Sequence, residues 1–386
     1  MKIPIILTLM KLKVLQESFS KALSITSRFT SNKIQLPILA NVLLSASKNK
    51  LFISATNLEM AISIPLGAKV ERDGEITIPA RVISELVGNL TPGQISLDAE
   101  KEILKIAAQG FSSSLSGINS SDFPVVPHEL DKKEVSIKSN DFKHSLNKVL
   151  FAVSSDETRP VLTGVLVVLN KDDITFVSTD GFRLSKKRIK LSSSVKDETK
   201  LIIPKNTLSE LSRLEVSSDS QLVFSFNRSD NQILFNLQEM ILTSRIIEGD
   251  FPDYEKIIPK DSRLKVKVDK SDLLRAVKLA SVFARESANV IKVKVKKASV
   301  FISAESSHSG SQETELDARV EDEAETLKDG EDYVIAFNYK FLEDFLGSCE
   351  GENVQINLSD ANSPALFLDE EDKSFIHIIM PVRLQS

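Results

Sequence analysis

Leu51-Phe52-Ile53-Ser54-Ala55-Thr56-Asn57 returns as Ile174-Thr175-Phe176-Val177-Ser178-Thr179-Asp180, and a third time as Val300-Phe301-Ile302-Ser303-Ala304-Glu305. The phenylalanines 52, 176 and 301 stand 124 and 125 residues apart. Two further markers keep nearly the same step. Ile76-Thr77-Ile78-Pro79-Ala80 is followed by Leu201-Ile202-Ile203-Pro204-Lys205 and Tyr333-Val334-Ile335-Ala336-Phe337. Ser121-Asp122-Phe123-Pro124 is followed by Gly249-Asp250-Phe251-Pro252 and, more loosely, Ile379-Met380-Pro381. Solenoid and propeller repeats run about 20 to 50 residues, so a step this long means three similar domains. The polar stretches Pro124 to Lys133 and Pro259 to Arg263 place their boundaries, giving domains over residues 10–130, 131–260 and 261–386.

Outward from each marker, the order within a repeat reads as strand, helix, several strands, then strand, helix and several strands again. The spacing predicts first helices over Leu15 to Thr26, Asp141 to Ala152 and Ser271 to Phe283. Second helices are predicted over Arg81 to Leu90, Asn206 to Arg213 and Asn338 to Leu346, with Asn206 and Asn338 as N-caps and Gly347 as a stop. Leu264-Lys265-Val266-Lys267-Val268 and Lys292-Val293-Lys294-Val295-Lys296 alternate with the period of a strand wetted on one face. Two helices laid on antiparallel sheets in each repeat make the class α+β.

A chain of 386 residues with 41% hydrophobic and 27% charged residues has the make-up of an ordinary globular protein divided into domains. Its formal net charge of −5 repels nucleic acid at long range, so any DNA contact requires a local basic surface. The single cysteine, Cys349, has no internal disulfide partner, in keeping with a reducing compartment. Met1 to Leu9 is apolar but runs into Lys11 and Lys13 without a small-residue cleavage site, and reads as a start-site extension before Met10. His128, His144, His308 and His377 lack metal-ligand spacing, and no G-x-S-x-G elbow, P-loop or G-x-G-x-x-G fingerprint occurs. Glu370-Glu371-Asp372 and Asp172-Asp173 read as solvated turns. These readings disfavour an enzyme and predict no cofactor and no metal. A surface-stalk protein of repeated β-rich domains is the other class, and it would need an export signal.

Five segments in order on this repeat carry a resemblance to a known family. They are Leu36-Pro37-Ile38-Leu39-Ala40-Asn41-Val42-Leu43-Leu44, Asp156-Glu157-Thr158-Arg159-Pro160-Val161-Leu162-Thr163-Gly164, Ser178-Thr179-Asp180-Gly181-Phe182-Arg183-Leu184, Phe251-Pro252-Asp253-Tyr254, and Met380-Pro381-Val382-Arg383-Leu384. The sequence resembles the bacterial sliding clamps, the β subunits of DNA polymerase III, from Met10 to Leu384. The resemblance implies a head-to-tail homodimer closed into a ring, with helices lining the hole and sheets forming the shell. It implies a non-catalytic processivity factor in the cytoplasm, associated with the nucleoid during replication, that surrounds duplex DNA without reading its sequence.

The predicted helices carry Lys21, Arg28, Arg81, Lys143, Lys148, Arg275, Lys278 and Lys340. They recur on all three repeats and so favour a basic lumen, although each taken singly also fits a solvated helix face. By family position, Lys33 and Arg159 join them as DNA-facing residues. The resemblance also implies a pocket between the second and third domains that receives short peptides. Its partners would be the polymerase III α subunit, the clamp loader δ subunit, other clamp-motif polymerases and mismatch-repair proteins, with no membrane involved. Family positions carry over onto Leu162, Thr179, Gly181, Phe182, Arg183, Leu184, Pro252, Ile257, Asn338, Phe341, Ile378, Met380, Pro381, Val382, Arg383 and Leu384. Aliphatic walls and an adaptable methionine suit apolar anchors, while Arg183, Arg383 and Asn338 would fix a peptide backbone. Core packing is the competing role for Leu162, Leu184, Ile257 and Ile378. Positional matching puts Leu115 against Val282 at the dimer contact. Two departures bear on the pocket: Ser287 stands where relatives often carry a large aromatic, and Gln385 and Ser386 extend the usual ending.

Overall fold

The computed structural model describes residues 9–31, 36–130, 134–191, 195, 198–215, 217, 219–227, 230–327 and 332–384. Its helices are α1 (Gln16–Thr26), α2 (Ala80–Gly88), α3 (Ser139–Val149), α4 (Lys205–Arg213), α5 (Lys270–Ala284) and α6 (Tyr339–Ser348), two to each repeat. Three of the expected ends move for local reasons. α3 closes at Val149, whose carbonyl accepts the Ser178 hydroxyl at 2.5 Å, and Leu150–Ala152 tightens into a 3-10 turn. α4 begins at Lys205 behind Pro204, so Asn206 lies inside the first turn and caps nothing. α6 runs through Gly347 to Ser348 because that glycine is not in the left-handed region, and the amide of Cys349 closes on the Phe345 carbonyl. Asn338 does cap α6, its side-chain oxygen accepting the Lys340 amide at 3.0 Å.

Each repeat builds two half-sheets. In the first repeat, Met60–Gly67, Lys50–Thr56, Asn41–Ser47 and Gly74–Pro79 pair in that spatial order. The second repeat copies the order with Arg183–Lys190, Asp173–Thr179, Gly164–Leu169 and Thr199–Pro204, and the third with Gly310–Asp317, Ser299–Ser306, Val290–Val295 and Tyr333–Asn338. The other half-sheet sets the opening strand of the repeat beside its last three: Leu9–Leu15 beside Gln94–Glu100, Ile103–Ala108 and Phe111–Ser116 in the first. Glu134–Lys138 and Leu264–Asp269 open the corresponding half-sheets of the second and third. Alternation decides which side is wet. Leu264, Val266 and Val268 enter the core while Lys265 and Lys267 face outward, and burying aliphatic side chains of this size stabilises by about 1.5–3 kcal/mol each.

Among the described residues, those up to 139 together with those within 216–246 form one compact unit, and those within 140–215 and from 247 onward form a second, so the middle repeat contributes half to each. Strand pairing is the reason. In the first unit, Met240–Arg245, the last strand of the second repeat, pairs antiparallel with Met60–Gly67, with Ile241 opposite Ser63 and Ser244 opposite Met60. In the second unit, Phe375–Ile379, the last strand of the third repeat, pairs the same way with Arg183–Lys190, with Arg183 opposite Ile379 and Lys187 opposite Phe375. One joint is therefore made twice. Phe111–Ser116 and Gly310–Asp317, the strands that would continue the series, are each bonded on one side only among the described residues.

The joint in the second unit encloses a histidine. The Ser185 hydroxyl lies 2.8 Å from Nδ1 of His377, whose ring stacks on Phe345 at 5.5 Å. Burial drives the imidazole pKa down from 6.5 to about 3. The unfolded chain therefore takes up a proton below about pH 6.5 that the folded unit refuses. The contribution is whole above pH 6.5 and is lost as the pH falls toward 3, about 2 kcal/mol being gone by pH 5. Chemical denaturation should show stability falling more steeply between pH 7 and 5 in the wild type than in His377→Gln. Equal slopes would contradict this assignment.

Candidate functional site

The second unit contains a cleft of about 1020 Å³ beside that joint. One side rises from the Thr179-Asp180-Gly181-Phe182-Arg183 turn, whose sequence dictates its shape. Asp180 Oδ1 accepts the amides of Phe182 and Arg183 at 2.9 and 3.0 Å, and the Thr179 hydroxyl accepts the Gly181 amide at 3.0 Å. Gly181 has φ +94°, and a Cβ there would come within 3.0 Å of the Arg159 guanidinium. The locked turn leaves the Phe182 ring 63% exposed on the rim. Leu162, Leu184 and Ile378 reach the cleft from the core, each almost wholly buried, so they serve as floor and as packing at once. Pro252, Ile257 and Met380 complete the apolar lining, and Met380 is pinned by its amide to the Phe182 carbonyl at 2.8 Å.

Ten of the peptide-binding positions predicted from sequence line this cleft: Leu162, Thr179, Gly181, Phe182, Arg183, Leu184, Pro252, Ile257, Ile378 and Met380. Asn338, Phe341, Pro381, Val382, Arg383 and Leu384 do not. The Asn338 side chain is engaged in capping α6. Phe341 packs under the Arg183 guanidinium at 4.5 Å, and the Val382 amide ties the tail to Ala336 at 2.8 Å. Arg183 is also held by Asp180 at 3.0 Å, Asp344 at 2.5 Å and the Phe151 carbonyl at 2.5 Å. These bonds make it a strut between the second and third repeats. Ser287 lies beyond the end of α5, donates to the Glu305 carbonyl at 2.6 Å and does not line the cleft. Gln385 and Ser386 lie outside the described residues.

Sequence reasoning missed part of the lining: Lys256, Ile258, Pro259, Lys260, Asp261, Ser359, Ser363 and Pro364. Their only signal was turn-forming composition, which had marked Pro259 to Arg263 as a boundary. Arg159, assigned to DNA, also lines the cleft, with its guanidinium 2.9 Å from Asp156 and 3.2 Å from the Asp180 carbonyl.

The basic residues divide. In the first unit, Lys21 on α1, Arg28 just after it and Arg81 on α2 are exposed, with Arg81 paired to Glu85 at 3.0 Å. In the second unit, Arg275, Lys278 and Lys340 are exposed, with Arg275 paired to Asp272 at 2.9 Å. Lys143 is half-buried and donates to the Leu214 carbonyl, and burial lowers its pKa. Lys148 corrects the sequence reading outright. It is 1% exposed, donates to the Ser348 carbonyl at 2.6 Å and faces Asp369 at 3.6 Å, so it is an internal cation with no access to a phosphate. Lys33 lies outside the described residues. Leu115 sits half-buried on the one-sided Phe111–Ser116 strand, and Val282 is exposed on α5.

The acidic runs are structural. Asp372 holds Lys187 at 2.5 Å, Glu370 holds Lys267 at 2.5 Å, and Asp173 holds Arg188. Burial pushes the Cys349 thiol up to about 12, away from nucleophilic chemistry.

A helix-and-sheet unit repeated three times and joined edge to edge is the architecture of the DNA clamps. Models of the DNA polymerase III beta subunit match the chain in three consecutive pieces: the N-terminal domain over residues 10–127, the central domain over 136–253 and the C-terminal domain over 255–383. The Synechocystis beta sliding clamp is 30% identical over 97% of this chain and 100% of its own, and the Bacillus subtilis one is 28% identical with the same coverage. The crystal structure of the Bacillus subtilis clamp superposes with a TM-score of 0.92 at 25% identity, covering 98% of this chain and all of that one. That of the Pseudomonas aeruginosa beta subunit reaches 0.89 at 26%, covering 97% and all of that chain. The C. crescentus clamp, 28% identical with a TM-score of 0.88, carries polyethylene glycol at a region described as tethering the beta motif. The chain belongs to the DNA polymerase III beta-subunit family, the beta sliding clamps, which are processivity factors of DNA replication and catalyse no reaction.

Proposed function

We propose that two copies of this chain close into a ring around duplex DNA and tether polymerases and repair proteins through the cleft. The repeated joint carries the proposal. The chain pairs the last strand of one repeat with a half-sheet edge of the repeat before it, twice, and leaves one unsatisfied strand of each kind. Pairing Gly310–Asp317 of one copy with Phe111–Ser116 of another would apply the same joint between molecules. Made twice, this heterologous contact closes a head-to-tail dimer of six repeats. Leu115 lies on one of these strands, and Val282 is assigned to the same contact.

The exposed cations Lys21, Arg28, Arg81, Arg275, Lys278 and Lys340, with Lys143 and Lys33, are proposed to face phosphates through loose, sequence-independent contacts. Domains over 10–130, 131–260 and 261–386 follow from the repeat and are supported by the spans of the three family matches. The cleft is proposed to take short linear peptides from the polymerase III α subunit, the clamp loader δ subunit, other clamp-motif polymerases and mismatch-repair proteins. Such a protein works in the cytoplasm at the nucleoid, and no helix among the described residues is long and apolar enough to cross a membrane.

Ending the chain at Ile379 tests the cleft. It removes Met380 from the lining and leaves both unsatisfied strands intact. Peptide binding should be abolished while the dimer persists in sedimentation. Affinity equal to that of the full chain would contradict the assignment.

A further inference from the structure

The apolar floor accounts for only part of the cleft, because one wall is polar and is built where the second repeat runs into the third. Lys260 and Asp261 form it together with Ser359 and Ser363, and Lys256 stands beside them. This wall is braced. Ser359 donates its hydroxyl to the Asp261 carbonyl at 2.8 Å, and the Arg263 amide donates to the Leu358 carbonyl at 2.8 Å. Asp360 gathers the Asn362 amide at 3.0 Å and the Ser363 hydroxyl at 2.6 Å. A ligand would therefore meet a pre-formed surface and would not have to order a loose loop.

Two ammonium groups stand on or beside this wall against the carboxylate of Asp261 in the lining and that of Asp360, which is taken up in the bracing bonds. Lys256 is shared with Asp253 at 2.9 Å on the open surface, while Lys260 has no ion-pair partner among the described residues. Across the cleft, Arg159 adds a guanidinium already engaged by Asp156.

We propose that the cleft selects peptides in which the apolar anchors are followed or preceded by acidic residues, and that Lys260, helped by Lys256, recognises them. This rests on the reading of the cleft as a peptide site and assigns the specificity of that site. Bound carboxylates displace water from an otherwise unpaired ammonium group, while the floor holds the anchors. Because the pairs remain solvated, the preference is modest and salt-sensitive.

The test uses the full-length protein and a fluorescent short peptide with leucine and phenylalanine anchors, alone or extended at either end by three aspartates or three lysines. In low salt, one of the aspartate-extended peptides should bind about three- to tenfold more tightly than its lysine-extended counterpart. Lys260→Gln should shrink that ratio and Lys260→Glu should bring it to one or below, with the circular dichroism and melting of both variants confirming the fold. Equal affinities for the two extensions, or a ratio unmoved by Lys260→Glu, would overturn the proposal. Failure of the unextended peptide to bind would instead overturn the peptide-site reading, and this inference with it.

Discussion

Lys148→Met should destabilise the second unit by about 3–5 kcal/mol, the loss typical of stranding one partner of a buried ion pair. Methionine can occupy the space beside Phe375, where the ammonium group lies 5.2 Å from the ring centre, but it cannot answer the Asp369 carboxylate or the Ser348 carbonyl. Asp369 is itself fully buried and accepts the Glu350 and Gly351 amides at 2.9 and 3.2 Å, so it cannot turn outward to water without breaking that loop. Thermal melting should show a drop on the order of 10 °C. A surface lysine would give a change within about 0.5 kcal/mol, and that outcome would put Lys148 back among the candidates for DNA contact.

Proline at Thr314 or Glu315 should separate the dimer. These adjacent residues of Gly310–Asp317 pair with Ile302 and Phe301 on one side. In an antiparallel strand, neighbouring amides point to opposite edges, so one of the two variants removes an amide from the unsatisfied edge and leaves the internal ladder whole. A ring has two such interfaces, and the lost bonds sum to about 2–6 kcal/mol, roughly thirtyfold or more in dimer dissociation. Sedimentation should find a folded monomer for one variant where the wild type is a dimer. If both variants stay dimeric at every dilution that leaves the wild type intact, the edge-to-edge contact is wrong.

The threefold architecture was legible because its markers are backbone-determined. Apolar strand runs recur wherever the same half-sheet is built, and a strand-ending proline, Pro79 or Pro204, marks the first two of the three. Alternation at Leu264 to Val268 likewise placed the wet and dry faces correctly. What could not be read was which strand of one repeat pairs with the next, since Met60–Gly67 and Arg183–Lys190 carry no sequence mark of being joints. The division of the middle repeat between two compact units follows from those pairings alone.

Site residues followed the same rule. The Thr179-Asp180-Gly181-Phe182-Arg183 turn announces itself through an aspartate that accepts the turn amides and a glycine that supplies the positive φ. Lys148 misled because a lysine on an amphipathic helix gives no sign that Asp369, more than two hundred residues later, waits beneath it. Arg183 does line the cleft, but nothing in the sequence shows that three acceptors and Phe341 also hold it. The polar wall around Lys260 was invisible because loops far apart in sequence converge there.

The central claim is that the hold on DNA comes from enclosure. The direct measurement is retention of the loaded protein on nicked circular DNA before and after a single double-strand cut. Enclosure predicts stable retention on the circle and rapid loss through the new ends once it is linear. Equal retention on circular and linear molecules would mean that surface adhesion holds the protein, and would contradict the account.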